Sequence, residues 1–178
     1  MDDNKADISG ATTVRLLVTY MEMRAKLAGP ALPPPIAHAA VASERPDAAT
    51  FLSLYRAVGE PLRWDQRLRM PAMELDDFLK SPSTGLYILR LEGRAVGLCE
   101  FDCIDTPDVE LTHFGLVPEV YGRKLGPFLL DSALRAVWGR GSNRIWLHTD
   151  EWDHPKAQDT YRRAGFNVFA QKLEEIEV

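Results

Sequence analysis

The order of elements in the second half of the chain limits its fold most. An apolar run at 109–117, a helical pattern at 127–138, an apolar run at 144–149, a helical pattern at 155–164 and a last strand from about 166 follow with short connections. A helix between two such strands is a crossover, so 109–117 and 144–149 are expected to be parallel. Upstream, "GLYILRLEGRAVGLCEFDCI" (85–104) places two apolar runs around Glu92-Gly93, which signals a hairpin. These elements predict an α/β fold: one mixed sheet (α+β in character) flanked by helices and antiparallel in its first half.

The N-terminal half is less regular. "TTVRLLVTYMEM" (12–23) reads as a strand, and 36–43 as a weaker one. Between them, four prolines in 25–35 exclude regular structure and predict an extended connector that carries the first strand to its place. In 45–59 Asp47 can cap a helix, Phe51, Leu54, Tyr55 and Val58 give its apolar stripe, and Gly59 can end it. One or two short helices are expected over 61–81. Residues 1–11 are polar and expected to be disordered, leaving 12–178 as a single domain.

A formal charge of −5 argues against a dedicated nucleic-acid partner. No apolar run approaches the roughly 20 residues of a membrane span, and the acidic start "MDDN" is unlike a secretory signal. Cys99 and Cys103 would lie on one strand face roughly 13 Å apart, too far for a disulfide, so a cytoplasmic protein with free thiols is expected.

The stretch "ELTHFGLVPEVYGRKLGPFLL" (110–130) leads a strand through a turn into a helix. Gly122 and Gly126 bracket Arg123-Lys124-Leu125, and Pro127 fits the first helical position. The unpaired N–H groups of a helix start, with two basic side chains beside them, suit a pyrophosphate. Glycine and proline serve any turn equally well, and the spacing matches neither a P-loop nor GxGxxG. The stretch by itself leaves both readings open.

"GLVPEVYGRKLGPFLLDSALRAVW" followed by "RIWLHTDEWDHPKAQDTYRRAGF" resembles the GNAT superfamily of acyl-CoA-dependent N-acyltransferases. The downstream pattern Ala157, Tyr161, Gly165, Phe166 is intact. Tyr121 stands where that family has Gln or Arg, Lys124 where it has a central glycine, and His154 where many members have Asn. The resemblance implies acetyl-CoA as co-substrate, with backbone contacts from Leu116 and Val117 to its pantetheine arm. Gly122, Arg123, Lys124, Leu125 and Gly126 would surround its pyrophosphate. Tyr161 would protonate the departing thiolate, and Glu110 would be the base that deprotonates an amine acceptor. Glu100 is the second candidate for the base. Alternation puts Glu110 on a face with Thr112 and Phe114, and His113 on the opposite one. Tyr55, Trp64, Arg67, Asp150, Trp152 and Asp153 are candidates for the acceptor side, where aromatic rings and carboxylates suit a cationic amine. Neither cysteine is given a nucleophilic role.

Two other classes compete. "HTDEWDH" brings His148, Asp150 and His154 together, with His113 on an adjacent strand, as a metal hydrolase would need, although no recognised zinc spacing is present. A non-catalytic acyl-CoA-binding domain could use the same fold. No metal is expected, and a homodimer is compatible with the sequence.

Overall fold

The computed structural model describes residues 13–177, with side chains through 176; the stretch expected to be disordered lies outside them. Thirteen elements include seven strands and four α-helices in the order β1 (Thr13–Met23), β2 (Ala39–Ser43), α1 (Ala48–Gly59), α2 (Ala72–Lys80), β3 (Gly85–Leu91), β4 (Arg94–Asp102), β5 (Asp108–Leu116), α3 (Leu125–Trp138), β6 (Arg144–Thr149), α4 (Ala157–Ala164) and β7 (Asn167–Glu177). The other two are short 3-10 turns at Glu60–Leu62 and Pro118–Val120. The expected elements are present, and their local causes are visible. Asp47 accepts from the N–H of Thr50 at 2.8 Å at the start of α1. Glu92 and Gly93, both at positive φ, make the tight β3–β4 turn. α3 begins two residues earlier than the proline suggested, so Pro127 is its third residue, still within the turn that lacks intrahelical acceptors.

All seven strands form one mixed sheet in the order β2-β3-β4-β5-β6-β1-β7. Among the described residues only β5 and β6 run parallel, as the crossover requires. Their pairing lasts from Asp108–Arg144 to Glu110–Trp146 and then stops. Beyond it β5 stays with β4 while β6 stays with β1, and the sheet splits into a V. Consecutive residues of β5 face opposite layers. His113 and Gly115 meet Tyr55, Val58 and Trp64 on the α1 side, whereas Phe114 and Leu116 meet α4 and α3.

The proline connector ties the layers together. The N–H of Leu32 donates to Asp131 and Arg135 donates to the carbonyl of Pro30, both at 3.0 Å, so the segment lies along α3 on its way from β1 to β2 at the far edge. Cys99 is buried within β4 and Cys103 is exposed just past its end, both as free thiols; the shared-face expectation fails because the strand stops at Asp102.

Candidate active site

The V opens into a cavity of about 520 Å³. Its apolar wall is Leu62, Phe114, Gly115, Leu116 and Ala157; its charged wall includes Lys124, Lys156 and Arg163. Gly122, Leu125, Gly126 and Pro127 line it too, so the turn read from the sequence does face a cavity. Arg123 is exposed and stays outside. Gly122 and Lys124 both take left-handed backbone, at φ 75° and 61°. This bend makes Lys124 the residue before α3, with no side-chain cap, and leaves the first N–H groups of the helix without intrahelical acceptors. Tyr121 and His154 meet edge to face, 5.1 Å between centroids, and both line the cavity.

Tyr161 stands behind the apolar wall. Its ring lies 5.8 Å from that of Phe114 and 5.9 Å from that of Phe166, with 6% of the residue exposed. Burial, with the charge of Asp153 adding to it, pushes its phenol well up and holds it protonated. Asp153 lines the cavity and accepts from the Thr149 hydroxyl at 2.6 Å; burial raises its carboxyl.

A β-bulge rearranges the acid candidates. Glu100 lies opposite His113, but Phe101 lies opposite Leu111, which leaves Thr112 as the extra residue. Glu110 is therefore opposite Asp102, and since Asp102 and Glu100 share a face, so do Glu110 and His113. This corrects the alternation reading, which placed Glu110 with Phe114 and opposite His113. Glu110 looks onto the side not covered by α3 and α4, with the Nε2 atom of His148 3.8 Å away. Burial raises its carboxyl and Asp102 adds to the shift, while His148 opposes it.

Glu100 is wholly buried. Its Oε1 atom accepts from Arg67 Nη2 at 2.7 Å, the Thr112 hydroxyl at 2.6 Å and His113 Nδ1 at 2.9 Å. His113 Nε2 in turn sits 3.0 Å from the Tyr55 hydroxyl. Burial alone would raise Glu100, but His113 and Arg67 outweigh it and hold the carboxyl at about 2. Oε1 is thus fully engaged, Oε2 meets only Arg67 Nε at 3.4 Å, and with no exposed surface Glu100 is less open to a substrate than Glu110.

Other expectations also change. Tyr55 is completely buried in this network and does not reach an acceptor. Arg67 is likewise engaged with Glu100. The N–H of Val117 donates to the carbonyl of Val96 at 2.9 Å, so it is not free for a pantetheine. Leu116 lines the cavity. Trp64 is half-buried between Gly59, Gly115 and His113, and Trp152 is stacked by Arg63. The histidines of the metal reading diverge: His148 lies against Tyr20 and Glu110, His154 against Tyr121, and His113 in the core. Among the described residues no group of three His, Cys, Asp or Glu could hold a metal ion.

Lys156, Asp159, Thr160 and Arg163 were missed. Their three- and four-residue spacing puts them on one face of α4, a signal the sequence does carry. Leu62 had no such signal.

A model of the Acetyltransferase (GNAT) family matches residues 51–166. An uncharacterised N-acetyltransferase of Mycobacterium bovis is 28% identical over 92 residues, covering 52% of this chain and 58% of the relative. This chain thus spans little more than half the length of that curated relative. Among solved structures, a GCN5-related N-acetyltransferase from Sphaerobacter thermophilus superposes with a TM-score of 0.63 at 22% identity, over 95% of this chain and 54% of that one. An aminoglycoside acetyltransferase from an uncultured soil metagenomic sample, solved with sisomicin, gives 0.61 at 14% identity, over 72% and 88%. At these identities the structural likeness bears on the fold.

Proposed function

This chain belongs to the acetyltransferase (GNAT) family, and on that premise we propose that it transfers the acetyl group of acetyl-CoA to a primary amine by direct attack. The observation that carries the reading is the cavity in the split sheet, which joins a helix start with basic side chains to an apolar wall backed by a protonated tyrosine. Gly122, Lys124, Leu125 and Gly126, with Lys156 and Arg163 nearby, suit a pyrophosphate. Arg123 adds charge from outside the cavity, and the backbone of Leu116 suits the pantetheine arm.

The neutral amine nitrogen attacks the thioester carbon; a C–N bond forms and the C–S bond breaks. The proton lost by nitrogen goes to Glu110, directly or through a water, and on to solvent. The CoA thiolate takes the Tyr161 proton, which solvent replaces. Trp64 and Trp152 border the side from which the amine approaches.

The test is thiol release from acetyl-CoA with a panel of amines. Tyr161→Phe is expected to lower kcat by about 10²-fold or more while leaving the Kd of acetyl-CoA within about 2-fold, the range of a lost general acid. Acetyl-CoA binding with no turnover on any amine would instead support an acyl-CoA sensor.

A further inference from the structure

Two distant segments meet over the apolar end of the cavity. Leu62, in the turn after α1, and Asp153, between β6 and α4, both line it. Their chain neighbours are Arg63 and Trp152, and the Arg63 guanidinium carbon lies 4.9 Å from the centre of the Trp152 ring. That cation–π contact joins the two segments behind Leu62 and Asp153, which line the cavity together with Phe114, Gly115 and Leu116. Lys124 and Lys156 stand just before the starts of α3 and α4, while Arg163 lies in the last turn of α4, so a diphosphate held at the two helix starts leaves the Leu62 and Phe114 end of the cavity for the acyl group.

The segment carrying Arg63 is held in place. Trp64 fits against Gly59 so closely that a Cβ there would come within 2.6 Å of it, and its ring lies 4.7 Å from that of His113. Arg67, four residues on, is anchored by Glu100. On the other side the backbone N–H of Trp152 donates to Asp150 Oδ1 at 2.8 Å, and a wall held from both segments resists the retreat that extra methylenes require.

We propose that the Arg63–Trp152 pair, together with Leu62, closes the acyl end of the cavity and restricts the donor to short acyl groups, a specificity that rests on the acyl-CoA reading above. Equilibrium binding of CoA, acetyl-CoA, butyryl-CoA and hexanoyl-CoA, measured by calorimetry, tests this without an acceptor. The wild type is expected to bind acetyl-CoA at least about 10-fold more tightly than butyryl-CoA, the scale of added methylenes in a closed apolar pocket. In Arg63→Ala and in Trp152→Leu the gap is expected to shrink to about 2-fold. The two variants open the bridge from different loops, so a folding defect in one, visible by circular dichroism, leaves the other to decide. Equal wild-type affinity for acetyl- and butyryl-CoA overturns the proposal, and so does a gap unchanged in the folded variants. If CoA and all its thioesters fail to bind, the acyl-CoA reading itself falls.

Discussion

Glu100 and Glu110 lie on neighbouring strands, yet their surroundings give them opposite chemistry. Glu100 is held at about 2, below the usual 4.5. A lowered carboxyl adds stability above its unfolded value and loses it as pH falls from about 4.5 towards about 2. Glu100→Gln should therefore flatten stability across that window. It should also cost roughly 3–5 kcal/mol at neutral pH by leaving Arg67 buried without its partner, measured by denaturant unfolding. Glu110 is shifted upward by burial and by Asp102. Its contribution is present below its unfolded value and lost as pH rises through the raised one, so at neutral pH it works against folding. Glu110→Gln is expected to leave stability at pH 7 unchanged or slightly higher. The same change should lower kcat/KM by about 10²-fold and abolish an acidic limb whose midpoint lies above the ordinary carboxylate range, read from a pH–rate profile. The sequence offered both carboxylates as candidates, because a one-residue bulge and a buried arginine leave no mark on local alternation.

Among the elements, α3 matters most through its first turn. Lys124 replaces the glycine of the resemblance pattern, holds a left-handed backbone and is exposed at the cavity rim. Its charge acts in high dielectric, so Lys124→Ala should weaken acetyl-CoA binding by only about 2- to 5-fold at low salt. The difference should fade near 1 M salt, where the screening length is about 3 Å; an effect indifferent to salt would mean that Lys124 acts through its backbone. Elements of this kind were legible because their signals are local. The stripe of α1, its Asp47 cap and the Glu92-Gly93 turn each need only a few neighbouring residues. Pro127 misled by two residues, since proline is tolerated anywhere in a first helical turn.

Across the whole molecule, the first strand is inserted inside the sheet, one strand from its edge. β1 pairs with β6 on one side and with β7, the last strand, on the other. Met21 is fully buried there in the common core. Met21→Ala should cost about 2–5 kcal/mol, the range for truncating a core side chain, and lower Tm accordingly. Amide exchange in β1 should be as slow as in β4, whereas a fraying terminal strand would exchange quickly. The sequence by itself determined the elements, the crossover, the hairpin and the family-like loop and Tyr161 pattern, because periodicity and turn chemistry act between residues close in the chain. Only the tertiary structure decided where β1 is inserted, where β5 and β6 part, which glutamate is buried and which faces the open side, and that Arg63 meets Trp152. Those outcomes depend on register, burial and contacts between segments up to a whole chain apart, energies that no local stretch encodes.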